Sequence, residues 1–392
     1  MTAGVVLLAL VGAGCSGDSE EQQSAGTGGT GEQQSTEPEV SAAEVSSNVR
    51  DGARGVTVDT VPEVTVAGGR LEKVSARIGR QRLAGELSKD GRTWTATERL
   101  EPGKKVRVAA VAVDAEGLEA EATSTFRTDD LTLEEQTFPS IAPLAGETVG
   151  VGMPVIVQFD VPVTDRASIE KHLKVTTSSG QKGAWSWLSD SEVHWRPKTY
   201  FEPGTEVTVD ADINSVPAGN GVYGQLSRST SFTVGDSVIS KVDVASHRMR
   251  VYRNGQLLRT IPITAGKDGF VTRSGTKVIM EKVRHKKMDA STIGIEKDDP
   301  EYYNLDVEYA MRVTYSGEFI HGAPWSSGSQ GSDNVSHGCV GMSMSDAAWL
   351  FDLSKRGDVV VVSGTGRSLE PGNGYTDWNI SFADFKEGSA LS

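Results

Sequence analysis

The residues best able to do chemistry in this chain lie close together near its C-terminal end. Two of the six histidines, His321 and His337, and one of the two cysteines, Cys339, fall between positions 321 and 339. A cysteine acts as a nucleophile only as the thiolate, and a free thiol has a pKa of about 8.5, so a neighbouring imidazole must take the proton or stabilise the anion. His321 ends a predicted strand, and His337 points to the same face as Cys339 in an extended segment. The pattern favours nucleophilic catalysis by Cys339.

A glycine, Gly338, separates His337 from the cysteine. A tight turn there lets the backbone N–H groups around Gly338 and Cys339 converge on one point, which is how an oxyanion hole is made. A side chain at this position would obstruct an approaching acyl group. We therefore expect Gly338 to belong to the catalytic site.

Two other interpretations of this block stay open on chemistry alone. Two histidines and one cysteine can bind zinc, with Asp333 or Glu318 as a further ligand. Alternatively, Cys339 is a buried and inert cysteine beside two hydrogen-bonded histidines.

The N-terminal end predicts export and a lipid anchor. Residues 3–13 form an apolar run that is too short to span a bilayer, which needs about 20 residues, but that fits the central part of a signal peptide. The following Gly14-Cys15-Ser16-Gly17 resembles a bacterial lipobox, in which the cysteine is lipidated after cleavage. We predict a signal peptide and lipobox over 1–15, with lipidation at Cys15 and an extracytoplasmic location on the cell membrane. The alternative is a plain secretion signal.

Length and charge limit the remaining possibilities. A chain of 392 residues allows two to four domains. The net charge of −14 argues against nucleic acid as a partner, because phosphate binding needs clustered Lys and Arg. Residues 16–45 are too polar to bury a core, and we predict a disordered tether there.

A repeat predicts the architecture of the next two hundred residues. The segment from Trp94 through Glu101-Pro102-Gly103 recurs from Trp195 through Glu202-Pro203-Gly204, and each turn is followed by alternating valines. The spacing of about 100 residues with short strands is typical of immunoglobulin-like β-sandwiches. We predict two such domains, over 46–130 and 131–235.

The rest of the chain predicts a further β-rich domain with one short helix. The Asn254-Gly255 pair marks a hairpin, residues 345–356 have helical spacing, and the polar segment 284–306 has no clear period and is predicted to be an irregular lid. We place this domain at 236–364. The aromatic tail 365–392 is expected to pack on an earlier domain. The predicted fold class is therefore mainly β, with two sandwiches followed by a β-rich catalytic domain.

The cysteine block also resembles a known family. His321, a gap of fourteen residues and then Ser336-His337-Gly338-Cys339 match the signature of the L,D-transpeptidase catalytic domain. The resemblance covers roughly 238–364, and the order of segments is similar to that of the multidomain lipoproteins in this family.

The resemblance implies a reaction on the bacterial cell wall. Such enzymes attack the third residue's carbonyl in a peptidoglycan tetrapeptide stem, release the terminal D-alanine and form a thioester. The side-chain amine of a diamino acid in a second stem then takes the acyl group, which gives a 3→3 cross-link. No metal or organic cofactor is implied, and carbapenem-type β-lactams are expected to acylate the enzyme. A cysteine hydrolase (L,D-carboxypeptidase) of the same stem and a non-catalytic wall-binding protein remain as alternatives.

The resemblance also assigns roles to residues. Cys339 is the nucleophile, His321 is the general base and acid oriented by the Gly322 carbonyl, and His337, Gly338 and Cys339 shape the oxyanion site. The expected contacts to the substrate are Met288, Tyr303, Ser316, Gly317, Trp325 and Gly341.

Two positions depart from the family pattern. The family usually has Asn two residues after the cysteine, where this chain has Gly341. In the lid, Ile293 stands where close relatives tend to have an aromatic residue. We therefore expect weaker polar recognition of the donor stem, with nucleophile and base intact.

Overall fold

The computed structural model describes residues 39–392, of which residues 41–392 form one compact unit. The predicted signal segment 1–15 with Cys15, and most of the predicted tether 16–45, lie outside the described residues. Within the described range, no helix is both long enough and apolar enough to cross a membrane. The described part is mostly β-structure with three short α-helices, which confirms the predicted fold class.

The first β-sandwich begins at Glu44, slightly before the predicted start at residue 46. Its strands are β1 (Glu44–Ser47), β2 (Glu63–Ala67), β3 (Arg70–Ile78), β4 (Gln81–Leu83), β5 (Gly85–Leu87), β6 (Thr93–Ala96), β7 (Lys105–Val113) and β8 (Glu119–Arg127). They form two sheets with the orders β1-β2-β6-β5 and β4-β3-β7-β8. Side chains from both sheets share one buried core, because apolar and polar residues alternate along the strands.

The second β-sandwich follows the same plan and contains one short helix. Its elements are β9 (Gln136–Thr137), β10 (Pro139–Ala142), β11 (Thr148–Val149), β12 (Val155–Phe159), α1 (Arg166–Glu170), β13 (Leu173–Thr177), β14 (Gly183–Ser189), β15 (Glu192–Pro197), β16 (Glu206–Ala211), β17 (Pro217–Gly219), β18 (Val222–Gly224) and β19 (Arg228–Val234). The two main sheets have the orders β10-β12-β15-β14 and β11-β19-β16-β13. A small third sheet has the order β17-β18-β9.

The sequence repeat marks the same position in both sandwiches. Trp94 lies in β6 and Trp195 in β15, both are buried, and a Glu-Pro-Gly turn leads from each into the next long strand. Each indole also lies against a glycine, since a Cβ atom at Gly85 or Gly183 would lie only 2.1 or 2.3 Å from the ring. The close approach of ring and backbone explains both glycines.

The C-terminal domain combines two sheets and a helix around one shared core. Its elements are β20 (Val238–Asp243), β21 (Arg248–Arg253), β22 (Gln256–Pro262), β23 (Gly275–Val278), β24 (Glu281–Asp289), β25 (Asn304–Arg312), β26 (Phe319–Gly322), β27 (Val340–Met342), α2 (Met344–Leu353) and β28 (Val359–Ser363). One sheet has the order β22-β21-β20-β28-β23 and the other β24-β25-β26-β27. Val242, Ile320 and Leu350 bring both sheets and α2 into one core.

The predicted irregular lid over 284–306 is wrong at both ends. Strands β24 and β25 pair as a long antiparallel ladder that reaches Asp289 and Asn304. Only residues 290–303 lie outside this ladder, and they begin with a 3-10 helix over Ala290–Ile293. Strand β24 is rich in Lys and Arg and has no fully buried face, so the alternation that identifies a strand is missing from its sequence.

The tail, residues 365–392, contacts both preceding domains. It contains a 3-10 helix over Asp377–Asn379 and the helix α3 (Phe382–Lys386). The indole N–H of Trp378 donates to Gly152 O at 2.8 Å in the second sandwich. Asn379 Oδ1 accepts a hydrogen bond of 2.8 Å from the Thr276 N–H in β23.

A buried histidine joins the tail to the second sandwich. His194 in β15 has Nδ1 2.8 Å from Asp377 Oδ1 and Nε2 2.9 Å from Glu192 Oε1. Burial disfavours the charged ring, but the two carboxylates outweigh burial and raise the pKa of His194 to about 9. The ring is therefore protonated at neutral pH, and its charge helps to hold the tail in place.

The elevated pKa of His194 predicts a loss of stability at alkaline pH. Because the folded pKa lies above the usual 6.5, the contribution is complete below about pH 6.5 and is lost as pH rises through about 9. The shift corresponds to about 3 kcal/mol. The thermal midpoint should fall between pH 6.5 and 9.5 in the wild type and less steeply in His194→Gln. The exposed His285→Gln is the control, and equal slopes in all three proteins would contradict the prediction.

Candidate active site

Two short parallel strands place the histidine and the cysteine. In the ladder between β26 and β27, Ile320 lies opposite Val340 and His321 opposite Gly341. Ile320 and Val340 are buried, which fixes the face that each strand turns to the core. Cys339 immediately precedes β27, so its side chain is brought to the strand that bears His321.

The sulfur of Cys339 is held between two backbone groups. The Phe319 N–H points to Sγ at 3.4 Å, and Sγ lies 3.7 Å from the Gly317 carbonyl, which accepts from the thiol. Burial raises the pKa of the thiol to about 11, although the Phe319 N–H acts in the opposite direction. Cys339 is therefore a protonated thiol in the resting site at neutral pH.

The ring of His321 is oriented by a single backbone hydrogen bond. Its Nδ1 lies 2.9 Å from Gly322 O. Because a carbonyl can only accept, Nδ1 carries the proton and Nε2 keeps the lone pair of a base. Burial lowers the pKa of His321, so the ring is neutral at pH 7 and able to take a proton.

Cys339 and His321 line one cavity of about 240 Å³, which we name the thiol cavity. Of the residues predicted to be at the site, the thiol cavity is also lined by Met288, Tyr303, Trp325, His337 and Gly341. The Trp325 ring lies 5.8 Å from the ring of His321 and nearly parallel to it. Trp325 is 54% exposed, so it is a wall of this cavity and not a core residue.

His337 is held by residues of the segment 290–303 and of the loop between β22 and β23. Its Nε2 lies 2.7 Å from Glu301 Oε2, and Lys267 Nζ lies 2.6 Å from the same oxygen. The rings of Tyr303 and Phe270 lie 4.8 and 4.5 Å from the His337 ring. Sequence reasoning missed Glu301, because one more acidic residue in a polar segment carries no local signal.

Glycine is required at 338 for its backbone conformation. The reason expected from the sequence is a different one, that a side chain there would obstruct the acyl group. Its φ is 121°, a conformation that favours glycine, whereas an added Cβ would have ordinary contacts of 3.6 Å or more. The Ser336 hydroxyl accepts from the Gly338 N–H at 3.1 Å and donates to Cys339 O at 2.6 Å. The turn before Cys339 is thus fixed by Ser336, and the Gly338 N–H is already engaged.

A second cavity of about 370 Å³ lies beside the first, and we name it the arginine cavity because Arg273 and Arg367 line it. It is also lined by Ser316, Gly338, His337 and Ile293. His337 therefore lines both cavities. The structure places Ser316 in the arginine cavity, and Gly317 contacts the sulfur directly through its carbonyl.

The residues proposed as further zinc ligands are engaged elsewhere. Glu318 pairs with Arg273 and Lys277, and Asp333 Oδ2 accepts from the Ser332 hydroxyl at 2.8 Å. Among residues 39–392, no three His, Cys, Asp or Glu side chains converge as a metal site requires.

Comparison with known proteins identifies the family. A family model described as an L,D-transpeptidase catalytic domain matches residues 237–362, and one described as a bacterial Ig domain matches residues 53–217. The chain is 39% identical over 348 residues to L,D-transpeptidase 2 of Mycobacterium tuberculosis, covering 88% of this chain and 85% of that protein. The chain belongs to the L,D-transpeptidase family.

Two further similarities agree with this family. L,D-transpeptidase 5 of Mycobacterium tuberculosis is 34% identical, with 79% of this chain and 68% of that protein covered. A solved structure of the LD transpeptidase LdtMt1 in complex with imipenem is 38% identical with a TM-score of 0.50, covering 57% of this chain and 97% of that chain.

Gly341, where the L,D-transpeptidase signature usually has Asn, is closely packed. A Cβ atom at this position would lie 2.9 Å from Ala323 Cβ and 3.1 Å from Thr264 Cγ2. Neither neighbour has a flexible end that can move away. A side chain at 341 therefore needs a shift of the surrounding backbone.

The first prediction for the site concerns the base. His321→Ala should slow acylation of Cys339 by a carbapenem about 10²-fold or more, because the variant lacks the Nε2 atom that takes the thiol proton. Stopped-flow spectroscopy measures this rate, and the thermal midpoint checks the fold. His337→Ala is measured in parallel, because His337 is the alternative candidate for the base. If His321→Ala acylates at the wild-type rate, the base is not His321 and the role passes to His337.

The second prediction concerns packing at Gly341. Gly341→Asn should lower the free energy of unfolding by about 1–3 kcal/mol, because the new side chain overfills the space beside Ala323 and Thr264. Denaturant titration measures this change. The exposed Gly328, where a Cβ would meet nothing within 4 Å, provides the control Gly328→Asn. Equal stability of the two variants would show that position 341 has room for a side chain.

Proposed function

We propose that this protein forms 3→3 cross-links in peptidoglycan through a thioester on Cys339. One observation supports the proposal above all others: Cys339 and His321 line the same cavity, and the bond from His321 Nδ1 to Gly322 O leaves Nε2 as the basic nitrogen. A neutral thiol and a neutral imidazole with this tautomer are the reactants that acyl transfer needs.

Acylation begins with transfer of the thiol proton to His321 Nε2. The sulfur attacks the carbonyl carbon of the third residue in a tetrapeptide stem, and the bond from that carbon to the nitrogen of the terminal D-alanine breaks. The imidazolium returns its proton to the leaving amine. The backbone N–H groups of His337 and Cys339 stabilise the oxyanion, since Ser336 already holds the N–H of Gly338.

Deacylation reverses the roles of the same groups. The side-chain amine of a diamino acid in a second stem attacks the thioester carbonyl. The carbon–sulfur bond breaks while His321 takes a proton from the amine and returns it to the sulfur. The products are a new amide bond and the original thiol, so the protons balance over one cycle.

The two adjacent cavities favour transfer to an amine over hydrolysis. A transpeptidase must bring two stems to one carbonyl, whereas a hydrolase needs one stem and water. The thiol cavity and the arginine cavity both border His337, next to the nucleophile. We infer that donor and acceptor approach the thioester from these two sides.

The proposal includes the location of the enzyme. Lipidation at Cys15 attaches the chain to the outer face of the cell membrane, and the tether and the two sandwiches hold the catalytic domain towards the cell wall. The stem peptides are therefore within its reach.

The decisive experiment follows a tetrapeptide stem and a carbapenem by mass spectrometry. We expect a cross-linked dimer with loss of one D-alanine, and a covalent carbapenem adduct on the peptide that contains Cys339. Cys339→Ala should abolish both products, whereas Cys15→Ala should change neither. Free tripeptide without dimer would favour a hydrolase instead. A wild-type chain that forms neither product nor adduct would favour a wall-binding protein.

A further inference from the structure

A buried ion cluster lies behind the reactive sulfur, and the steps of acyl transfer described above do not use it. Lys277 in β23 pairs with Glu318, and their side chains are 1% and 5% exposed. Arg273 Nη1 lies 3.0 Å from the other oxygen of Glu318. Burying charges is costly even when they are paired. A cluster of three against the nucleophile therefore calls for an explanation.

The backbone joins this cluster directly to Cys339. Glu318 lies between Gly317, whose carbonyl accepts from the thiol, and Phe319, whose N–H points to the sulfur. The glycine before the nucleophile faces the same carboxylate, since a Cβ at Gly338 would lie 3.7 Å from Glu318 Oε1. The carboxylate and its two cations thus form a charged wall beside the residues that contact the sulfur.

The charges in this wall act on the thiol in opposite directions. Burial has the largest effect on the pKa of Cys339 and raises it; Glu318 raises it further, whereas Lys277 lowers it. Burial likewise lowers the pKa of Lys277, and the negative charges of Glu318 and of a Cys339 thiolate raise it. The charge of Arg273 is shared with a second carboxylate, because its Nε lies 2.5 Å from Glu370 Oε2.

We propose that Lys277 is a positioning residue for the transpeptidase reaction, whose ammonium group, held in place by Glu318, stabilises the thiolate of Cys339 as the proton leaves. This inference rests on the proposed function, in which Cys339 is the nucleophile. Lys277 acts across the wall and does not touch the substrate. In a site that excludes water, a fixed cation is worth far more than in solvent. Its charge is present before proton transfer, whereas that of His321 appears only afterwards.

Other titratable and charged groups also face the sulfur from the surrounding elements. They are Arg312 in β25, Tyr303 just before β25, and His321 and His337 in the thiol cavity. Arg312 lies over the Phe319 ring and favours the thiolate, but it is partly exposed and pairs with Glu281 at 3.3 Å. Solvent and this carboxylate weaken its effect, so Lys277 is the buried cation to test.

The test compares Lys277→Met, which removes the buried charge, with Lys277→Arg, which keeps it. Alkylation of Cys339 by iodoacetamide is measured between pH 7.5 and 9.5 in the full chain, by mass spectrometry of the Cys339 peptide. Because the thiol pKa is about 11, the wild-type rate should rise about tenfold per pH unit. Lys277→Met should slow alkylation about tenfold at every pH, because its curve moves to higher pH. Lys277→Arg, which keeps a positive charge beside Glu318, should restore a rate close to that of the wild type. Lys282→Met, a half-buried cation of the next strand, should leave the rate unchanged.

The contrast between the two variants separates this role from a structural one. Loosened packing would expose the sulfur and speed alkylation in both variants, and that result would overturn the inference, as would an unchanged rate in Lys277→Met. If Lys277→Met does not fold, Lys277→Gln takes its place, and an unchanged or faster rate contradicts the proposal. Alkylation does not depend on cross-linking. A failed stem assay would therefore contradict the proposed function. An alkylation rate that does not fall in Lys277→Met would contradict only the role of Lys277.

Discussion

The parallel pairing of β26 with β27 is the constraint on which the site depends. Its register sets His321 opposite Gly341, and the residue just before β27 is Cys339. The first residue of β26, Phe319, also supplies the N–H that points to the sulfur. A shift of one residue in this short ladder would turn the imidazole to the opposite face of the sheet. The imidazole of His321, the thiol of Cys339 and a hydrogen bond to the sulfur therefore depend on the same few backbone contacts.

Burial decides the chemical state of the two reacting groups. It raises the pKa of the Cys339 thiol and lowers that of the His321 ring, so both groups are neutral at rest. A preformed thiolate–imidazolium pair is thus disfavoured, and in the proposed reaction the charges arise only as the acyl group is attacked. The arrangement protects the sulfur between reactions, since the thiolate is also the form that oxidises and alkylates.

The parts of the structure that could be predicted from sequence are those with local signals. Trp94 and Trp195 with their turns predicted the two sandwiches, and His321 with the block ending in Cys339 predicted the candidate site. The strand pairing of β24 with β25 was missed, because Lys and Arg on both faces hide the alternation. Hydrogen bonds such as that between Glu301 and His337 join residues far apart in sequence, and single polar residues carry no pattern that pairs them.

Two glycines near Cys339 are needed for two different physical reasons. Gly338 is needed for a backbone angle that shapes the turn before Cys339, whereas Gly341 is needed because Ala323 and Thr264 fill the space around it. The hydrogen bonds of the sulfur go to backbone groups of other residues, and the base is oriented by a carbonyl. Glycine in place of the usual Asn at 341 therefore leaves the contacts of Cys339 and His321 unchanged. Its effect falls on the shape and polarity of the thiol cavity, which Gly341 lines.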